Sequence, residues 1–336
     1  MIIRPRPHGW QLLYILRGSI VPAIAPKVLA IGVLALAVAA FAELAHPPGI
    51  ERISVVPFSL LGLMLSIFLS FRNNACHERW WEARKQWGQL VYESRSLARQ
   101  CAVLLAGDPA RRQRVGYLVA GFAQVLAARL RARDMQAAAL PWLPGRDAAL
   151  LRGRGNVPDQ MLTLLSAELA QPLHEGRLDA YLYGQLEARV HALSAIQAAC
   201  ERIAGTPLPF AYTLLLHRCA WLFCVLLPFG LVTALGWATP VVSMLLAYAF
   251  FGLDRLGDEL EEPFGLEPND LPIDALVRTI EIDQREALGE RDLPPPLLPR
   301  DYLLQCPPSI QARGIPPWPT RITARAACAA TTSPAG

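Results

Sequence analysis

Charge is scarce in this chain. Asp, Glu, Lys and Arg make up 18% of its 336 residues, against roughly 25% in an ordinary soluble domain. Hydrophobic residues make up 53% and mean hydropathy is +0.28, which excludes a wholly disordered chain, a collagen and a coiled coil and disfavours a soluble enzyme. Catalytic kits are missing too. There is no G-x-x-x-x-G-K-[ST] loop, no H-E-x-x-H and no G-x-S-x-G. The six histidines (His8, His46, His77, His174, His191, His217) never stand at i, i+4, so no helical metal pair is encoded. Seven scattered cysteines (Cys76, Cys101, Cys200, Cys219, Cys224, Cys306, Cys328) form no C-x-x-C, which excludes a zinc site and a disulfide framework. The net charge of +4 is too small to argue for nucleic acid. No cofactor is expected.

Long apolar runs are what the chain does have. About 20 apolar helical residues cross a bilayer core of about 30 Å. VLAIGVLALAVAAFAELA follows Lys27, with Glu43 near its far end. ISVVPFSLLGLMLSIFLSF lies between Arg52 and Arg72. A third run, uncharged from Cys219 to Leu253, is too long for one span and is interrupted by Pro228, Gly236 and Pro240, so it reads as a helical hairpin meeting near Gly236. Four spans result. Basic residues set their orientation: Arg4, Arg6, Arg17 and Lys27 precede the first span, and Arg72, Arg79, Arg84 and Lys85 follow the second. Arg202 and Arg218 flank the third and Arg255 follows the fourth. Both termini are therefore expected in the cytoplasm. A signal peptide is the alternative for the first span, but its basic region would extend to Lys27, longer than signal peptides use.

The expected organisation is a cytoplasmic segment 1–27, spans over 28–71, a helical cytoplasmic block 72–210, spans over 211–253, a helical segment 254–290 and a proline- and alanine-rich disordered tail 291–336. Within the block, apolar residues recur at three and four, and PWLPGRDAALLRGRGNVPD is the one loop-rich stretch. HERWWEARKQW reads as an interfacial aromatic belt rather than a nucleic-acid surface. The tail holds ten of the 29 prolines. Its PPWP could dock a polyproline-reading partner, whose identity is unknown.

On a helical wheel of the second span, Ser59, Gly62, Ser66 and Ser70 form a stripe of small residues, which lets helices approach closely in a membrane. Leu63, Ile67 and Phe71 form the neighbouring stripe, with Leu61, Leu65 and Phe68 toward the back. Copies of this helix around an axis would ring Leu63, Ile67 and Phe71 at a hydrophobic gate. The alternative is that all three are core side chains of a four-helix bundle. No ionisable residue lies within the span, against a proton-coupled transporter.

PFSLLGLMLSIFLSFRNNACHERWWEARKQWGQL resembles the second-helix signature of the bestrophin family, bacterial branch. CERIAGTPLPFAYTLLLHR resembles the start of the family's third membrane helix, and DELEEPFGLEPNDLP its acidic P-F-G segment after the fourth. The resemblance covers roughly residues 1 to 290. It implies an all-α membrane protein of the bacterial inner membrane, a homopentamer in lipid around one axial ion pore, with no enzymatic activity and no nucleic-acid partner. It implies a neck at Leu63, Ile67 and Phe71 and a second, cytoplasmic constriction near Tyr181 in GRLDAYLYG. Animal members carry an acidic calcium clasp after P-F-G. Here only Glu267, Asn269 and Asp270 offer side-chain oxygens, fewer than the six to eight ligands calcium takes, so calcium activation is not expected. The acidic run Asp258, Glu259, Glu261, Glu262 reads as a solvated or inter-subunit salt-bridged helix end, with Arg72, Arg79 or Arg84 as partners. The resemblance leaves chloride and sodium both open as permeant ions. A coupled secondary transporter and a membrane-anchored scaffold stay open beside the channel.

Overall fold

The computed structural model describes residues 1–3, 8–15, 18–45 and 54–304. Arg4, Arg6, Arg17, His46, Arg52, Cys306, Cys328 and the PPWP stretch lie outside the described residues. Among the described residues the chain is helical: α1 (Val21–Ala45), α2 (Val56–Leu104), α3 (Pro109–Leu130), α4 (Met135–Ala139), α5 (Gly145–Ala148), α6 (Val157–His174), α7 (Ala180–Gly205), α8 (Phe210–Leu235), α9 (Thr239–Glu261) and α10 (Ile273–Ala287). β-pairing among them is limited to isolated bridges. The described residues divide into two compact units, the first holding 1–85, 201–272 and 299–304, the second 86–200 and 273–298. α2 runs unbroken past Phe71 and α9 past Leu253. Where apolar character stops is therefore a different cut of the chain from where packing divides.

Among the described residues, three stretches are long and apolar enough to cross a membrane: Val21–Ala45, Val56–Leu104 and Phe210–Glu261. A 3₁₀ turn, Gly236–Ala238, splits the last into α8 and α9. Gly236 has φ 48° and ψ −124°, a conformation open to glycine. The pairs His217–Asp254, Trp221–Phe251 and Phe223–Phe250 step in opposite directions along the two helices, so α8 and α9 are antiparallel about that turn. α1 packs along α9. Both bury their small residues: Gly32, Ala35 and Ala39 on α1, Thr239, Ser243 and Ala247 on α9. In hydrocarbon such close backbone approach replaces the hydrophobic effect as the source of packing energy. α2 lays Leu65 and Leu69 into the same core, with Phe223 and Leu227 of α8. At the N-terminus, Ile3 N donates to Tyr302 O (2.8 Å) and Leu304 N to Met1 O (2.9 Å), so the proline-rich stretch has fixed partners as far as Leu304.

The second unit is built on α3, whose buried residues run from Val115 to Ala128. That helix is buried on nearly every face because α4, α6 and α10 pack around it. Asp108 caps its N-terminus, accepting from Arg111 N at 3.1 Å. PWLPGRDAALLRGRGNVPD, read as loop-rich, carries short helical turns at Leu140–Trp142, Gly145–Ala148 and Ala149–Leu151, with no helix over 152–156. The reason is that its Trp142 and Leu143 are core residues, Trp142 meeting Tyr117 edge-on at 6.0 Å. Of the tryptophans read as an interfacial belt, Trp87 is fully buried, on the inward stripe with Ala83 and Leu90.

Candidate functional site

α2 presents two opposed faces over its apolar half. Leu65, Leu69, Arg72 and Cys76, spaced by three and four, are all buried. Leu63, Ile67 and Phe71, the sequence-predicted neck, are 59%, 46% and 62% exposed. None of the three belongs to the core of its own bundle, so the four-helix-core alternative does not hold within the chain. Of the small stripe, Gly62 faces Phe223 of α8 within the same chain. Ser59, Ser66 and Ser70 are exposed. Two of these hydroxyls turn back on the helix, Ser59 donating to Val55 O (3.2 Å) and Ser66 to Gly62 O (2.8 Å). Tyr181, in the first turn of α7 in the second unit, is 72% exposed.

Arg72 ends this face with a buried charge. Its guanidinium is wholly buried and donates to four oxygens of α9: Asp254 O and Oδ1 (both 3.1 Å), Asp258 Oδ1 (2.5 Å) and Glu261 Oε2 (3.4 Å). The other Asp254 oxygen lies 2.7 Å from His217 Nδ1. A buried guanidinium is tolerated only when paired and hydrogen-bonded in this way. α9 has Gly257 at the closest approach: a Cβ there would stand 2.9 Å from Arg72 Nη1 and 2.7 Å from Asn73 Oδ1. About two turns further on, Arg79 donates to Glu261 O (2.7 Å), Thr206 O (2.6 Å) and Ile203 O. It thus ties the C-terminal ends of α7 and α9, where helix dipoles favour a cation.

Three members of the acidic run have partners within the chain, Asp258 and Glu261 on Arg72 and Glu259 on Arg255 and Asn269, while Asp258 and Glu262 keep solvent exposure. Sequence reasoning named Arg72 as a possible partner but missed Asp254 and His217. The signal was present, since Arg72 falls on the inward stripe set by Leu65 and Leu69. The three residues considered for a calcium clasp have separate partners. Glu267 pairs with Arg255 (2.9 Å), Asn269 donates its side-chain amide to Glu259 (2.6 Å) and accepts from Trp80 Nε1 at its backbone carbonyl (3.2 Å), and buried Asp270 accepts from Glu267 N (2.6 Å).

The match to Bacterial/Fungal Bestrophin protein spans residues 1–286. The chain belongs to the bestrophin family. Among bestrophin relatives, a voltage-dependent anion channel-forming protein of Mesorhizobium japonicum is 45% identical over 304 residues, 90% of this chain and 96% of the relative. The voltage-dependent anion channel-forming protein YneE of Escherichia coli is 39% identical over 90% of this chain and its own full length. The crystal structure of a bacterial bestrophin homologue from Klebsiella pneumoniae is 35% identical, with a TM-score of 0.75 over 81% of this chain and 100% of that one. The all-helical architecture is thus that of a bestrophin, and the apolar stretches fit a membrane protein.

Proposed function

We propose that the chain is a passive ion channel of the bestrophin type, a homopentamer crossing the bacterial inner membrane with four helices per subunit and both termini in the cytoplasm. The observation that carries this is the outward turn of Leu63, Ile67 and Phe71. Three large apolar side chains on one stripe, on a helix whose opposite face is fully used, need an environment outside the subunit. Around a five-fold axis they form the neck, gating ions by dewetting. Tyr181 narrows the cytoplasmic exit. The domain organisation follows, with spans over 28–71 and 211–253, a cytoplasmic block 72–210, a segment 254–290 and a tail 291–336.

Chloride is the first candidate ion, supported by the names of the relatives. Phenyl edges at Phe71 carry positive partial charge that suits an anion. The channel reaction involves no covalent chemistry and no cofactor.

The test is the reversal potential of the purified chain in a planar bilayer under a sodium chloride gradient. A value near the chloride potential is expected. A value near the sodium potential overturns the anion assignment and keeps the pore. No current from an intact pentamer overturns the channel. With the neck replaced (Leu63→Ala, Ile67→Ala, Phe71→Ala), unitary conductance should rise as the constriction wets. Unchanged unitary current in that triple variant would remove the neck from these residues.

A further inference from the structure

We infer that Arg72 is the positioning residue of the neck. The inference rests on the neck reading above and adds what holds the neck in register. Phe71 and Arg72 are consecutive on α2, so their side chains leave the helix about 100° apart. Anchoring one therefore fixes where the other points. The apolar part of the inward stripe, Leu65 and Leu69 against α8, cannot do this alone. Dispersion contacts between two leucines and their neighbours are non-directional, and inside a membrane no hydrophobic effect adds to them. A guanidinium fork is directional. Here it meets four oxygens at 2.5–3.4 Å, all on α9.

Two further features make the register discrete rather than sliding. His217 holds the second oxygen of Asp254, so the acceptor is itself oriented. Gly257 leaves space for the guanidinium at one level of α9, and a side chain on that residue would fill it. A rotation of α2 would pull Arg72 from its acceptors and leave a buried guanidinium unpaired and three carboxylates without its charge, a loss far larger than that of sliding two leucines. Arg72 touches no ion. It acts through Leu63, Ile67 and Phe71.

The experiment uses the purified full chain in planar bilayers, with Arg72→Lys placed in two backgrounds, the native neck and the triple-alanine neck. Lysine keeps the charge but is a single point donor that cannot span four oxygens. With the native neck, unitary conductance should shift by on the order of threefold or more, the scale of coupling between contacting groups. With the alanine neck it should not shift, because nothing remains to be misaligned. A merely structural role would alter yield or melting and would move both backgrounds alike. Equal conductance of Arg72→Lys and parent with the native neck, or equal shifts in both backgrounds, overturns the inference. If wild type passes no current, or the alanine neck conducts like wild type, the neck reading fails first and takes the positioning role with it. Should Arg72→Lys fail to assemble, Asp258→Asn replaces it, since that half-exposed partner loses only one acceptor charge. The same two-background comparison then decides.

Discussion

Asp108 carries three jobs on one carboxylate. It caps α3 through Arg111 N, and its other oxygen accepts from Arg111 Nε and Arg177 Nη2, each at 3.1 Å. Burial alone would raise this carboxyl, but the Arg111 amide and the two guanidinia outweigh it and hold it below the usual aspartate range. An acid depressed in the fold binds fewer protons folded than unfolded. Its stabilisation is complete above the unfolded value and is lost as pH falls through the folded one. Asp108→Ala should cost about 1 kcal/mol at neutral pH, the usual worth of a cap. Asp108→Asn keeps a cap acceptor and drops the ion pairs. Its melting deficit at pH 7 should therefore shrink as the buffer is taken below about pH 4, where the aspartate of the unfolded parent begins to protonate while the folded one still resists. A deficit independent of pH would mean that the ion pairs contribute nothing.

Among the helices, the α8–α9 hairpin shows what sequence makes plain. Pro228, Gly236 and Pro240 within an uncharged run announced a break, and the turn at Gly236–Ala238 lies there because Gly236 adopts a backbone conformation that a Cβ resists. Gly236→Ala should destabilise by about 1–3 kcal/mol through backbone strain, read as a lower melting temperature in detergent. An unchanged melting temperature would show the turn relaxing at no cost. α2 shows the converse. Its wheel separated Leu63, Ile67 and Phe71 from the rest, and their exposure agrees with an outward face. Yet the same wheel, read only for apolar and small residues, passed over Arg72, since an arginine at a span's edge is ordinarily a snorkelling, positive-inside residue. The spacing of Arg72 from Leu65 and Leu69 puts it on the inward face, but its partner lies 182 residues away, and sequence spacing does not report such pairings. The short turns around Trp142 were missed for a related reason: Gly and Pro mark a break locally, while a tertiary contact of Trp142 with Tyr117 decides what the break becomes.

For the molecule as a whole, the exposed apolar side of α2 sets the expectation for assembly. Native mass spectrometry in detergent should give five copies of the chain. A monomer that still conducts would contradict a neck shared between subunits. Calcium removal is the second test at this scale. Glu267, Asn269 and Asp270 are tied to Arg255, Glu259, Trp80 and the backbone. Chelation of calcium on the cytoplasmic side should thus leave open probability unchanged. A reversible fall in current on chelation would show that those three residues regroup around the ion.

The pairing of Arg72 with α9 also has a consequence in time. Its partners lie 182 to 189 residues further along the chain. At about 5–20 residues per second, the ribosome delivers them roughly ten to forty seconds after Arg72 itself. Through that interval the second helix holds a cation at its edge with no counter-charge, and α1 lacks α9, against which its small residues pack. A nascent chain stalled before α9 therefore differs from a finished one by a guanidinium that lacks its α9 acceptors.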